Sequence, residues 1–134
     1  MAFDASALPP PPDARNWSFT EGFAPESEQM RLARARSSEI RASNVTPATG
    51  ALLRTLARAG GAKHVVEIGN STGGAALWLL AGLPEDGQIT SLDADGEHHR
   101  IARDLLTDAG YTPAQARLIT GRPTEVVSRL TDHA

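Results

Sequence analysis

The sequence predicts an α/β protein with a Rossmann-like, doubly wound parallel sheet that is incomplete, with about three strands, flanking helices and preceding N-terminal helices. Three short apolar runs, at 63–68, 89–93 and 116–120, have the length and composition of strands. A stretch with apolar residues at helical spacing follows each run. This alternation is typical of parallel sheets whose strands are joined by right-handed crossovers. The 134 residues suffice for one small domain.

We divide the chain into an N-terminal arm, residues 1–24, and a domain, residues 25–134. A run of prolines and few large apolar side chains predict that the arm is flexible. The first helix is expected at 25–42, because Pro25 begins it and the glutamates of its first turn suit the helix dipole. Its apolar stripe is thin, so we expect it to pack either on its own domain or on a second subunit.

The second helix is expected to begin with Thr46 as its N-cap and Pro47 in the first helical position, and to end at Gly60. The strand at 63–68 is short and apolar, and such strands are usually buried on both faces of a parallel sheet. The remaining elements are a helix at 73–83, a strand at 89–93, a helix at 96–109 capped by Asp95, a strand at 116–120 and a helix at 124–130.

The loop after the first strand carries the strongest functional pattern, E-x-G-x-x-x-G, formed by Glu67, Gly69 and Gly73. Glycines lack Cβ, so the backbone can turn sharply and approach a ligand closely. The helix that begins near Gly73 offers free N–H groups, which favour an anion. Further hydrogen bonds can come from the polar side chains inside the loop, Asn70, Ser71 and Thr72.

The second strand ends on Asp93, at the edge of the sheet where ligands of such folds bind, and this acid suits two ribose hydroxyls. Glu67 distinguishes between cofactors. A carboxylate repels a pyrophosphate and attracts an ammonium or sulfonium group. The glycines also lack the G-x-G-x-x-G spacing of a dinucleotide loop. The pattern therefore favours S-adenosylmethionine over NAD, which stays the weaker alternative.

These residues resemble class I S-adenosylmethionine-dependent methyltransferases, and more narrowly the small O-methyltransferases that include catechol and caffeoyl-CoA methyltransferases and their actinobacterial relatives. The resemblance runs in order through nearly the whole chain from residue 25. The matching stretches are 44–53, 66–73, 89–98 and 118–122.

The resemblance implies a role for each site residue. Val45 lies against the methionine end of the cofactor, which Glu67 and the loop hold. Asp93 binds the ribose. Relatives often carry a serine where Ala75 stands, so backbone N–H groups must serve the methionine carboxylate here. The full set of expected cofactor-binding residues is Val45, Glu67, Gly69, Asn70, Ser71, Gly73, Asp93, Ala94 beside the adenine, and Gly121 and Arg122 at its border.

The resemblance also implies that later parts of the family fold bind the acceptor and a divalent metal such as Mg²⁺, through an aspartate that ends the next strand. The sequence ends at Ala134, before that strand. We therefore expect the cofactor-binding half of an O-methyltransferase, either as a fragment or as a natural short protein, with no catalytic residue assigned. The alternative is a non-catalytic S-adenosylmethionine-binding or interaction module.

The strand at 63–68 would be central in the complete fold, so without its neighbour it becomes an unpaired apolar edge. Exposed edges of this kind recruit other chains. We therefore expect a homo-oligomer, a dimer.

Composition excludes several other classes of function. The net charge of −3 argues against nucleic acid as a partner. The sequence contains no cysteine, which excludes disulfides and thiolate metal sites and fits a cytoplasmic protein. The longest apolar stretch is too short to span a membrane, and no signal-peptide pattern opens the chain. No histidine pair has metal-ligand spacing, and His98 and His99 are expected to be solvent-exposed in a first helical turn.

Overall fold

The computed structural model describes residues 13–130, and it confirms an α/β fold with three parallel strands in one open sheet. The strand order is β1-β2-β3. In chain order the elements are α1 (Ala14–Phe23), α2 (Glu28–Glu39), α3 (Pro47–Ala59), β1 (His64–Ile68), α4 (Gly74–Leu80), β2 (Gln88–Asp93), α5 (Gly96–Asp108), β3 (Ala116–Thr120) and α6 (Pro123–Val126), followed by a 3₁₀ turn over Val127–Arg129.

The part of the predicted N-terminal arm that the structure describes is mostly helical. α1 occupies Ala14–Phe23, and its N-cap Asp13 accepts a hydrogen bond from the backbone N–H of Asn16 at 2.9 Å. α1 buries none of its own residues, and Glu21 ties it to α3 by accepting from the backbone N–H of Ala48 at 3.0 Å. The run of prolines lies outside the described residues.

α2 is shorter than predicted at both ends: it begins later because Ser27 provides the N-cap, and it ends at Glu39 with Ile40 as its C-cap. The Ser27 hydroxyl accepts from the backbone N–H of Met30 at 3.2 Å. α2 packs on its own domain, with Met30, Ala33 and Ser37 buried against α4 and α5. The predicted caps Thr46 and Asp95 and the helix end at Gly60 are confirmed.

The main hydrophobic cluster lies on one side of the sheet. Ile89 of β2 is fully buried there, with Val65 of β1 and Leu118 of β3 packed beside it. The helices α4 and α5 supply the other side of this core, through residues that include Leu77 and Leu106. Successive side chains of a strand point to opposite faces, so one face of the sheet carries the core and the other carries the alternate positions.

The prediction that the first strand is buried on both faces is wrong. Val66 is 48% exposed and Ile68 is 61% exposed, because no described helix covers their face of β1. Among residues 13–130, β1 pairs only with β2, so its other edge is unpaired as expected. No described helix has the length and apolar character needed to cross a membrane.

Candidate functional site

The site lies where β1 and β2 end side by side, since Ile68 pairs with Leu92 in the parallel register. The loop that leaves β1 turns through two left-handed glycines, Gly69 and Gly73, each with φ of 85°. The backbone N–H of Gly69 donates to the carbonyl of Leu92 at 2.8 Å, which fixes the start of the loop. A Cβ on Gly73 would lie 3.0 Å from the Cβ of Ala102, so glycine also lets α5 pack closely against the loop.

Glu67 lies below this loop in a buried polar network. Its neighbour across the strands is Ser91, whose hydroxyl donates to Oε2 of Glu67. The side-chain amide of Asn70 donates in turn to the Ser91 hydroxyl at 2.7 Å. Two buried oxygens of this network, Oε1 of Glu67 and Oδ1 of Asn70, have no partner among the described residues.

Burial controls the charge of Glu67. Only 9% of the residue is exposed, and this loss of solvent raises the pKa of its carboxyl to about 7 from an ordinary value of 4.5. The hydrogen bond from Ser91 lowers that pKa, and the nearby charge of Asp93 raises it. Glu67 therefore stands near its midpoint of ionisation at neutral pH.

Asp93 links the glycine loop to the start of α5. Its carboxylate accepts from the backbone N–H of Ser71 and from that of Asp95, both at 2.9 Å. Partial burial alone would raise its pKa, but these two N–H groups and the side chain of His98 outweigh that effect, so the pKa of Asp93 lies below its ordinary value. Asp93 is ionised at neutral pH.

His98 contradicts the expectation that it is an ordinary exposed residue. Its Nδ1 lies 3.3 Å from both carboxylate oxygens of Asp93, and its side chain is 23% exposed. Side chains in a helix lean toward the N-terminus, and His98 stands in the first turn of α5, directly after the Asp93–Asp95 segment. That position is the signal by which the contact could have been predicted.

The segment between α2 and α3 forms the opposite wall of a cleft of about 220 Å³. Asn44 holds this wall in place, because its amide donates to the hydroxyls of Thr72 at 3.2 Å and Ser37 at 3.1 Å. A Cβ on Gly74 would lie 2.1 Å from Oδ1 of Asn44, so this close approach requires glycine. The cleft is lined by Ser43, Asn44, Val45, Gly69, Asn70, Ser71 and Ala75.

The structure therefore brings four predicted site residues, Val45, Gly69, Asn70 and Ser71, into one cleft. Two residues that the sequence did not single out, Ser91 and Asn44, organise this cleft from below and from the side. The contacts of Ser91 with Glu67 and of Asn44 with Thr72 join residues that are far apart along the chain, so no local pattern points to them.

The residues predicted around the adenine, Ala94, Gly121 and Arg122, lie at the same sheet edge but do not line the cleft. The backbone N–H of Gly121 donates to the carbonyl of Asp93 at 2.9 Å, which holds the end of β3 next to Asp93. Ala94 is exposed directly beside this contact, and Arg122 is exposed where α6 begins. Their roles toward a ligand stay predictions.

His99 is a second correction. It was expected at the solvent surface, but it is 2% exposed, and its Nδ1 lies 2.9 Å from the hydroxyl of Thr120 in β3. Burial lowers its pKa, so His99 is neutral at neutral pH. It supports the strand end that precedes Gly121. Among residues 13–130, no group of three or more acidic or histidine side chains has a geometry that could hold a metal ion.

Comparison with known proteins assigns this arrangement to a family. A sequence profile described as O-methyltransferase matches residues 24–134, so the chain belongs to the O-methyltransferase family. A Mycobacterium tuberculosis protein named as an O-methyltransferase is 45% identical over 116 residues, which are 87% of this chain and 52% of that protein. The chain thus spans about half the length of the curated relatives it matches.

Two solved structures show the same fold. A Corynebacterium glutamicum protein superposes with a TM-score of 0.79 at 30% identity, over 89% of this chain and 57% of that one. The O-methyltransferase TomG of Streptomyces achromogenes, involved in tomaymycin synthesis and crystallised with S-adenosylmethionine, gives a TM-score of 0.78 at 26% identity. That match covers 85% of this chain and 52% of TomG.

Proposed function

We propose that this chain is the S-adenosylmethionine-binding part of an O-methyltransferase that transfers a methyl group to an oxygen of a small molecule. Family membership and the S-adenosylmethionine complex of TomG support the class of cofactor. The observation that carries the proposal is the pair of buried acceptor oxygens without partners beside the glycine loop, Oε1 of Glu67 and Oδ1 of Asn70.

An ammonium group fits this pair of oxygens. It presents three N–H donors and no acceptor, and its charge complements a carboxylate. The α-ammonium of S-adenosylmethionine would be held there by Glu67, with Val45 against the methionine chain. A pyrophosphate in the same place would meet the negative charge of Glu67, which disfavours the NAD alternative.

Asp93 suits the ribose at the other end of the ligand. A carboxylate has about four lone-pair sites, and the backbone N–H groups of Ser71 and Asp95 take one on each oxygen. One good acceptor site remains on each oxygen, since the contacts to His98 are long at 3.3 Å. The two ribose hydroxyls can donate to these sites.

In the proposed reaction the acceptor oxygen attacks the methyl carbon in line with the sulfonium, so an O–C bond forms as the C–S bond breaks and the acceptor proton is lost. The role of this chain is to fix the position of the sulfonium through its two neighbouring groups, the ammonium and the ribose. The acceptor, the base and any divalent metal such as Mg²⁺ belong in this proposal to parts of the family fold outside this chain, which spans about half the length of its curated relatives.

Two further points belong to the proposal. The unpaired edge of β1 favours pairing with another polypeptide, and we propose a second copy of the chain in a cytoplasmic dimer.

The alternative function is a module that binds S-adenosylmethionine or a protein partner without transferring a methyl group. The same unpaired edge of β1 supports it. The two hypotheses differ in activity. The methyltransferase hypothesis predicts methyl transfer once the rest of the family fold is present, and the module hypothesis predicts none.

Calorimetric titration of the 134-residue chain with S-adenosylhomocysteine and with NAD tests the proposal. We expect micromolar binding of S-adenosylhomocysteine and much weaker binding of NAD. Glu67→Gln places an amide in the position of the carboxylate, so it should weaken S-adenosylhomocysteine by about 10- to 100-fold. Tighter NAD binding, or NAD binding that improves in Glu67→Gln, would establish the dinucleotide alternative instead.

A further inference from the structure

We propose that Ser91 is a positioning residue which, with Asn70 and the ionised form of Glu67, leaves only hydrogen-bond acceptors unpaired behind the Asn70 wall of the cleft, and thereby selects ligands that carry an ammonium group. The proposal rests on the proposed function, since the ammonium is that of S-adenosylmethionine. It concerns a residue that lies in the middle of β2 and does not line the cleft.

The direction of the network follows from counting protons. In its ionised form the Glu67 carboxylate can only accept, so in that form the hydroxyl of Ser91 donates its single proton to Glu67. The Ser91 oxygen can then only accept from Asn70, which fixes the amide so that its N–H₂ faces Ser91. The amide oxygen of Asn70 must consequently point elsewhere, and it is one of the two buried oxygens without a described partner.

The result is a site with a defined polarity. When Glu67 is ionised, both free atoms, Oε1 of Glu67 and Oδ1 of Asn70, are acceptors, and both are buried. A ligand with N–H donors satisfies them. A ligand without donors at this point leaves them buried and unpaired, which is unfavourable.

The position of Ser91 is otherwise unexpected for a hydroxyl. Ser91 is fully buried and lies on the core face of the central strand, two residues from Ile89. A buried hydroxyl is unfavourable unless it is hydrogen-bonded, and the hydroxyl of Ser91 is used both as donor and as acceptor. Its register partner is Glu67 itself, which places the hydroxyl beside the carboxylate rather than beside the ligand.

Burial and Ser91 act in opposite directions on Glu67. Burial raises the pKa of Glu67 and the hydrogen bond from Ser91 lowers it, and the pKa that results is about 7. Removal of the hydroxyl should therefore move the ionisation of Glu67 to higher pH. This gives the proposal a measurable signature that a loss of packing alone would not produce.

The test compares two ligands that differ only at the proposed contact. One is S-adenosylhomocysteine, and the other is its deaminated analogue, in which hydrogen replaces the α-ammonium and the carboxylate remains. Wild-type binding of S-adenosylhomocysteine tests the proposed function, while the ratio of the two affinities tests the role of Ser91. In Ser91→Ala we expect the affinity for S-adenosylhomocysteine to fall about 10-fold or more, with the analogue within about twofold of wild type.

Thr90→Val is the matched control, because Thr90 is a buried hydroxyl residue of the same strand on the opposite face. It should leave the affinity ratio unchanged. Ser91→Cys keeps nearly the same volume with a weak donor, so it should give a ratio of the two ligand affinities between those of wild type and Ser91→Ala. It replaces Ser91→Ala in the test if that variant does not fold. The pH midpoint of S-adenosylhomocysteine binding should also rise in Ser91→Ala.

Equal losses for the two ligands would overturn the proposal and assign Ser91 to packing alone. An affinity of folded Ser91→Ala for S-adenosylhomocysteine equal to that of wild type would overturn it as well. Failure of the wild-type chain to bind S-adenosylhomocysteine would instead contradict the proposed function, so the two failures are distinguishable.

Discussion

The two faces of β1 differ sharply although their residues alternate along one short strand. Glu67 points into a network that includes Ser91 and Asn70 and is almost completely buried. Its neighbours Val66 and Ile68 point the other way and are about half exposed or more, at 48% and 61%. The period of two in a strand makes this separation possible. One strand therefore contributes both to a buried, hydrogen-bonded polar site and to an exposed apolar surface.

This difference between the two faces assigns ligand binding and self-association to separate sides of β1. The polar side is held by contacts within the described residues, from the segment between α2 and α3 through Asn44 and from β2 through Ser91 and Asp93. The apolar side exposes surface whose burial would contribute about 25 cal/mol per Å². Ligand binding should therefore depend on the first side and association on the second.

The largest expected effect is the loss of Asp93. Asp93→Ala removes the acceptors proposed for both ribose hydroxyls and releases the N–H groups of Ser71 and Asp95. We expect the affinity for S-adenosylhomocysteine, measured by calorimetry, to fall about 100-fold. Asp86→Ala is the control, since Asp86 forms an exposed ion pair with Lys63 at the other end of the sheet. Equal affinities in Asp93→Ala and wild type would remove the ribose contact from the account.

The next effect is that of pH on binding. Because burial raises the pKa of Glu67 to about 7, the carboxylate that attracts an ammonium is lost as the pH falls below 7. The affinity for S-adenosylhomocysteine should drop by up to about tenfold per pH unit below that point and level off above it. A flat profile between about pH 6 and about pH 8, measured by calorimetry, would show that Glu67 does not contact the charged group.

The stability of the ligand-free chain should change with pH in the opposite direction. The pKa of Glu67 in the folded chain lies above its ordinary value of 4.5. The contribution of protonated Glu67 to the free energy of unfolding is therefore fully present below pH 4.5 and is lost as the pH rises through about 7. Denaturant unfolding of wild type and Glu67→Gln should therefore differ in slope between about pH 4.5 and about pH 7. Parallel pH profiles in the two chains would contradict the buried carboxyl.

A smaller effect is expected at His98, which contacts Asp93 without lining the cleft. His98→Leu should weaken S-adenosylhomocysteine and its deaminated analogue equally, by about threefold to tenfold, because it loosens the ribose end of the site. His98→Asn keeps a donor near the same place and should recover part of the affinity. A selective loss for the ligand with the ammonium would instead connect His98 to the Glu67 network.

The smallest effect on binding is expected on the bare face of β1, where Val66→Lys adds a charge to an exposed apolar position. Charged side chains protect sheet edges from association. Sedimentation velocity should show a dimer for the wild-type chain and more monomer for Val66→Lys. A wild-type chain that is a monodisperse monomer would contradict the proposed dimer.

The sequence predicts most of the fold because its local signals agree. Thr46, Asp95 and Gly60 mark helix ends by their own chemistry, and the glycines of the loop mark a turn that needs left-handed backbone. α1 was missed because the neighbouring prolines dominate the composition of the first 24 residues, although Asp13 provides a good N-cap. Composition is a weaker guide than a specific cap.

The candidate site could be predicted only in part. The backbone pattern identifies Glu67, Gly69 and Asp93, but nothing local shows that Ser91 lies in register with Glu67 or that His99 is buried under β3. Such contacts depend on how strands and helices pack in three dimensions. The exposed face of β1 was missed for the same reason, since an apolar strand does not reveal which of its faces is covered.

Calorimetric titration of Val66→Lys with S-adenosylhomocysteine, at concentrations where sedimentation shows it to be monomeric, tests the central claim most directly. If the polar side of β1 forms the site within this half of the fold, the affinity should lie within about twofold of wild type, since Val66 faces away from Glu67. Loss of binding in a monomer whose circular dichroism matches that of wild type would contradict the claim, because the site would then depend on what covers the other face.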